Sequence, residues 1–389
     1  MTGVVGNLYS QGLLTADRVE LVSSKSFNKL NETVSQYWQH FEGDPRVRIV
    51  ILDTGIDLGH EDFQQARTKT FAGKSGNIAC PVQGEPPQIS RIKKWTNFWP
   101  DQEIDNVNDL DGHGTQVAGI VLRLAPAAEL FVARICTGDV NHGVPEKKAP
   151  TVEPKSHSKR QCEAIEKAID WAMDHKVHII ILSAGFRNHE YGDVESLRKK
   201  LLAVQYHDNK WKHRAVVFAN AATSHEDAYE SVAWPAKDPH CAIGIHSCGD
   251  SGTQKSNFAG RMFNGDNFMV VGERILAQWP MAKGGGFRAC TGSSFATPVA
   301  AAVAALVLQF AWQKVCRRKY SSLPGNVPLD GLHTNGGMAS VFRRFSTPFD
   351  GCLSISMQLF WRTPEFNITL TEDPLLHALK LIQAGLVDT

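Results

Sequence analysis

Short apolar runs rich in β-branched residues alternate with helical stripes and polar loops along most of this chain, and that alternation restricts it to a small group of folds. Val47 to Leu52, Leu130 to Ile135 and Val177 to Leu182 are such runs. Between the last two, Cys162, Ile165, Ile169 and Trp171 to Met173 recur at helical spacing. Strand, amphipathic helix, strand is the βαβ unit, and strands that are apolar throughout are those covered on both faces. The pattern therefore predicts an α/β fold of three layers, α/β/α, around a mostly parallel central sheet. A chain of 389 residues, 42% of them hydrophobic, can bury a core of that size.

The alternation divides the chain into a polar arm over residues 1–45, a main domain over residues 46–312 and a C-terminal extension of unassigned role over residues 313–389. The arm carries a weak helical pattern at Val34, Tyr37, Trp38 and Phe41, and the extension has helical hints at Met338 to Phe342 and Leu375 to Leu386. Thr68 to Asn108 and Thr137 to Arg160 are polar with several prolines and glycines, so both read as surface insertions outside the core. The acidic run Asp101 to Asp111 has no calcium-loop pattern and reads as solvated.

Charge and cysteine usage exclude several roles. Lys plus Arg number 41 against 40 Asp plus Glu, so no global field draws the chain to nucleic acid or to an anionic membrane, and neither is expected as a partner. The longest apolar stretch, Val299 to Phe310, is shorter than the roughly 20 residues that span a bilayer. The first twenty residues lack the basic start, apolar run and small-residue cleavage site of a secretion signal, which predicts a cytoplasmic protein. Eight cysteines are scattered without a CxxC pair or metal-ligand spacing, so mostly free thiols are expected, with no zinc and no cofactor. Oligomeric state leaves no sequence signal.

Three segments carry chemistry. In VRIVILDTGID, Asp53 ends an apolar strand, at the sheet edge where side chains face a ligand crevice. In DGHGTQVAGIVLRLA, His113 lies in a glycine-flanked turn that opens an apolar helix. In ACTGSSFATPVAAAVAALVLQF, Ser294 begins a small-residue helix with Pro298 in its first turn. A serine hydroxyl becomes a nucleophile when an imidazole removes its proton, and the imidazole works when a carboxylate fixes its tautomer. At a helix start, the backbone N–H of Ser294 and the positive dipole end face the oxyanion that attack would create.

DTGID, HGTQVAG and GSSFATP, in that order, resemble the subtilisin-like serine peptidases over roughly Arg46 to Phe310, and the likeness is to the intracellular type. It implies a serine endopeptidase with Asp53, His113 and Ser294 as its triad and a protein or peptide as its substrate. It also implies that Ser183, Ala184 and Gly185 line the substrate, with Ala222 on the opposite pocket wall beyond Phe218 and Trp234 to Ala236 at the far side. Ala222 and Ala233 stand where the family often has glycine, which predicts a narrowed pocket for small or medium apolar side chains. The family often binds structural calcium, but no ligand set can be assigned here. Most members place an asparagine amide in the oxyanion hole. Thr223 stands at that position and Asn220 three residues earlier, which leaves three alternatives: the Thr223 hydroxyl, the Asn220 amide, or the Ser294 N–H alone. A catalytically weak domain that binds extended peptides is the alternative to an enzyme.

Overall fold

The computed structural model describes residues 24–37, 43–66, 68–73, 76–81, 85–100, 103–137, 154–186, 194–206, 211–221, 232–256, 265–312, 329–361 and 374–387. Its strands are β1 (Arg48–Asp53), β2 (Thr68–Gly73), β3 (Gly76–Pro81), β4 (Ile92–Asn97), β5 (Glu129–Arg134), β6 (Ile179–Leu182), β7 (Val216–Asn220), β8 (Ile243–Cys248), β9 (Phe268–Val271), β10 (Ile275–Gln278), β11 (Phe287–Cys290), β12 (Ser346–Phe349) and β13 (Cys352–Ile355). Nine of them form one sheet in the order β12-β13-β9-β8-β7-β6-β1-β5-β4, and β2 with β3 and β10 with β11 make separate hairpins. Every neighbouring pair from β13 to β4 is parallel, and β12 alone runs antiparallel at its edge.

Helices α1 (Lys25–Gln36), α2 (His113–Leu124), α3 (Pro154–Asp174), α4 (Val194–Tyr206), α5 (Ser293–Trp312), α6 (Asn335–Arg344), α7 (Met357–Trp361) and α8 (Pro374–Val387) cover the sheet. Side chains alternate faces along a strand. Ile49 and Ile51 of β1 accordingly join one core with Val117 and Val121 of α2 and Val299 and Val303 of α5. Val50 and Leu52 join the other, with Ile165 and Ile169 of α3 and Leu197 and Leu201 of α4. The fold is thus the expected three-layer α/β/α arrangement. One residue beyond Leu52 the alternation turns Asp53 back toward the α2 and α5 face, and the same register turns Ser183 and Asn220 that way.

Helix α5 is the centre of its layer. It is long and apolar enough to cross a membrane, yet almost all of it is buried within the protein, as befits a helix that is hydrophobic on every side. Its one buried amide, Gln309, ties it to the chain entering β1: Oε1 accepts from Val47 N (3.1 Å), and Nε2 donates to the carbonyls of Gly43 and Pro45 (both 3.1 Å).

The stretch 68–108 is not purely a surface insertion. It holds the β2–β3 hairpin and β4, an edge strand of the central sheet, with Ile92, Thr96, Asn97 and Val107 buried. Its sequence, IKKWTN, looks polar because the middle of an edge strand faces water. In the stretch 137–160, Pro154 already begins α3, and residues 138–153 lie outside the described residues. Of the segment beyond residue 313, the described residues 329–361 pack into the main core rather than beside it. There β13 extends the parallel sheet, and Phe342, Phe345, Phe360 and Trp361 are fully buried. The helical hints in it correspond to α6 and α8; of the weak N-terminal pattern, Val34 lies in α1 and Tyr37 caps its end, while Trp38 and Phe41 lie outside the described residues.

Candidate active site

The polar residues singled out in the sequence gather at the C-terminal ends of the strands. Asp53 is the last residue of β1 and is 4% exposed. His113 opens α2, capped by Gly112 at φ 104°, and is 8% exposed. A side chain at Gly112 would be strained by that φ and would meet the Trp279 ring at 2.4 Å. His113 Nδ1 lies 2.8 Å from Asp53 Oδ1 and 3.0 Å from Oδ2. The imidazole therefore carries its proton on Nδ1 and donates it to the carboxylate, which leaves Nε2 as the acceptor. Burial pushes the His113 pKa down, but the charge and hydrogen bond of Asp53, with smaller contributions from Asp111 and Asp109, outweigh it and hold the imidazole above its usual value.

Ser294 stands in the first turn of α5, half-buried, directly after the turn in which Gly292 N donates to Gly272 O (2.8 Å). The ring of its neighbour Phe295 lies 4.8 Å from the His113 ring, which puts the imidazole beside the start of α5. Ser183, at the exit of β6, donates from Oγ to the carbonyl of Ser294 (3.2 Å), so the β6 exit and the α5 start are also joined. Gly185 follows half-buried, and Phe186 forms an antiparallel bridge with Trp234. Ala184 and Ala233 are buried. Asn220 ends β7 with 6% exposure, on the sheet face that carries α5. Ala222 and Thr223 lie outside the described residues.

A polar cluster under this site has no counterpart in the sequence reading. The acidic run is not simply solvated: Asp109 is 3% exposed. Its Oδ1 accepts from Thr54 Oγ1 (2.8 Å), Gly112 N (2.8 Å) and Asp111 N (3.2 Å), and its Oδ2 accepts from Thr115 N (2.8 Å) and Thr115 Oγ1 (2.7 Å). Thr54 Oγ1 in turn accepts from Gly114 N (2.9 Å). The signal that could have found Asp109 is its place four residues ahead of His113 in a turn rich in polar side chains, where an Asp bonds to nearby backbone. Among the described residues no group of three or more His, Cys, Asp or Glu side chains is placed to hold a metal ion.

Comparison with known proteins gives this arrangement a family. The model of the subtilase family (Peptidase_S8) matches residues 44–321. The subtilisin-like protease het-Q2 of Podospora anserina is 39% identical over 352 residues, covering 87% of this chain and 90% of that protein. The chain belongs to the subtilase family. This subtilase is also similar to the major intracellular serine protease of Bacillus subtilis, at 23% identity over 78% of this chain and 82% of that one. Among solved structures, the nisin leader peptidase NisP of Lactococcus lactis shares its fold, with a TM-score of 0.54 at 15% identity over 85% of this chain and 92% of that chain. The MycP3 protease of a type VII secretion system does so with a TM-score of 0.52 at 18% identity over 86% and 85%. The fold, the family and the Asp53–His113 pair thus point to serine protease chemistry.

Proposed function

We propose that this subtilase is a serine endopeptidase in which Asp53, His113 and Ser294 form the triad. The hydrogen bond from His113 Nδ1 to Asp53, buried beside the start of α5, is the observation that carries the reading. In this mechanism Ser294 Oγ attacks the scissile carbonyl carbon while His113 Nε2 takes its proton. The resulting imidazolium is stabilised by the Asp53 carboxylate and then gives that proton to the departing amine. The acyl-enzyme left on Ser294 is hydrolysed by a water that His113 deprotonates in the same way.

The oxyanion is met by the Ser294 backbone N–H at the open start of α5, assisted by a side chain from the exit of β7. Asn220 is supported in that role by its position on the α5 face, and Thr223 is the alternative donor. An extended peptide runs along Ser183, Ala184 and Gly185, with Ala222 on the opposite wall, and small or medium apolar side chains suit the pocket before the cut. The mechanism uses no metal and no cofactor. Action inside a cell is supported by Cys136, Cys241, Cys248, Cys290 and Cys352, buried thiols that suit a reducing compartment.

Turnover of an unstructured protein such as casein tests the reading. The full-length chain should yield peptide fragments, and Ser294→Ala should yield none while keeping the same melting temperature. Fragments from both proteins would rule out Ser294 as the nucleophile. Peptide binding without fragments from either would favour the binding-domain alternative.

A further inference from the structure

We infer that Asp109 is a positioning residue for His113 and Asp53: it fixes the turn that carries the imidazole and holds the hydroxyl proton of Thr54 away from the Asp53 carboxylate. The inference rests on the proposed roles of Asp53 and His113.

The first half follows from the bonds Asp109 makes on both sides of His113. It accepts from Gly112 N and Asp111 N before the histidine, and from Thr115 N and Oγ1 after it. A buried carboxylate with this many donors is one of the most strongly held polar groups a fold can contain. Through Thr115 Oγ1, which accepts from Asp57 N (3.0 Å), the same carboxylate is tied to the loop after β1. Turn and strand end are thus held against one buried anion, and His113 is suspended between them.

The second half follows from counting protons on one hydroxyl. Thr54 Oγ1 has two carboxylate oxygens in reach, Asp109 Oδ1 at 2.8 Å and Asp53 Oδ1 at 3.3 Å, and a single proton to give. The shorter contact has the ordinary O–H···O length and the longer lies beyond it, so the proton goes to Asp109. Gly114 N donates to the same oxygen (2.9 Å), which fixes the hydroxyl between its two partners. Asp53 Oδ1 is then left to Thr54 N (2.7 Å) and His113 Nδ1 (2.8 Å). With a neutral amide in place of the Asp109 carboxylate, the Thr54 proton is drawn to the charged acceptor that remains, Asp53. An added hydrogen bond there stabilises the bare carboxylate and weakens its support of the imidazolium.

The other titratable groups facing the imidazole and Asp109 are Asp53 on β1, Asp111 in its own turn, Arg134 at the end of β5, whose positive charge faces Asp109, Cys136 just beyond it, close to the three aspartates, and Lys283 from the loop between β10 and β11, whose Nζ donates to Asp111 O (2.8 Å). Phe295 on α5 adds no charge. The negative groups together raise His113, and Asp109 is one of them.

The test is the rate at which a fluorophosphonate labels Ser294 in the full-length protein, followed across pH. Asp109→Asn should slow labelling by about a hundredfold, the loss typical of a misplaced catalytic group, and should move the midpoint of the pH profile to lower pH. The double variant Asp109→Asn with Thr54→Val should show a smaller midpoint shift, because no hydroxyl proton remains to swing. Thr115→Val, which loosens the same turn, should lower the melting temperature without moving the midpoint. Thr54→Ser should keep most of the rate, whereas Thr54→Val, closer in shape but lacking the hydroxyl, should lose at least about tenfold, because it removes both the bond from Gly114 N and the charge-assisted bond to Asp109.

An Asp109→Asn protein with the wild-type midpoint would overturn the inference. Should that variant not fold, Thr54→Val labelling as fast as Thr54→Ser would overturn it instead. Failure of the wild-type protein to label would sink the proposed triad and not this inference, because NMR titration of the His113 ring in wild type and Asp109→Asn reads the effect of Asp109 without any activity.

Discussion

Gly55 and Gly114 face each other so closely that a Cβ on Gly114 would stand 2.2 Å from the carbonyl oxygen of Gly55. Gly55 leaves β1 two residues after Asp53, and Gly114 follows His113, so this contact sets how near the strand end and the helix start can come. The carboxylate and the imidazole meet because Gly114 has no side chain in the gap; a Cβ on Gly55 would point elsewhere, 2.3 Å from the carbonyl oxygen of Val107.

Gly114→Ala must therefore push the His113 turn off the β1 exit. The atoms in the way are backbone and cannot swing aside. We expect at least about a hundredfold slower labelling of Ser294, with the far-UV circular dichroism spectrum unchanged, because a shift of about 1 Å in a catalytic group costs that much.

Protonation of His113 links activity to stability with opposite signs. Its pKa is raised in the folded chain because Asp53, Asp111 and Asp109 outweigh burial. The protonated pair with Asp53 therefore stabilises the fold fully below the unfolded value of about 6.5 and loses that contribution as pH climbs through the higher folded value. Activity, which needs neutral His113, should climb over the same range. Urea unfolding and labelling rates measured from pH 6 to 9 should move in opposite directions, and His113→Ala should flatten both trends.

How much of this could be read from the sequence depends on how local each signal is. Asp53, His113 and Ser294 were legible because each is a polar residue among small and apolar ones at the end of a well-patterned element. Asp109 was not, since an acidic residue in an acidic stretch looks solvated until the fold closes over it. Strand β4 was hidden by its exposed lysines, and β12 and β13 by their shortness, because a four-residue strand has too few positions to show alternation. Residue type alone does not choose between the Thr223 hydroxyl, the Asn220 amide and the Ser294 N–H alone as oxyanion donor, because the choice depends on the loop after β7, and Thr223 lies outside the described residues.

The Gln309 amide should matter for stability and not for catalysis, being at the far end of α5 from Ser294. Gln309→Leu removes the acceptor of the buried Val47 N–H and a donor to the carbonyls of Gly43 and Pro45, two exposed residues whose carbonyls can turn to water. Leaving the Val47 N–H unpaired costs about 1–3 kcal/mol, readable as a lower urea midpoint with an unchanged slope.

The buried thiols should be inert. Burial, helped by the charge of Asp238, pushes Cys241 up to about 12, and burial with the charge of Glu273 does the same for Cys248. Since the thiolate is the reactive form, iodoacetamide at pH 8 should leave Cys136, Cys162, Cys241, Cys248, Cys290 and Cys352 unmodified until denaturant is added. Rapid native alkylation of any of them, mapped by mass spectrometry, would contradict their placement in the core.

The most direct measurement is covalent labelling of the folded, full-length protein with a fluorophosphonate, located by peptide mass mapping. One adduct on Ser294, absent from the His113→Ala protein and strongly slowed in Asp53→Asn, is the result the account predicts. A folded protein that takes up no label, or that is labelled at Ser294 equally well without the His113 imidazole, would contradict it.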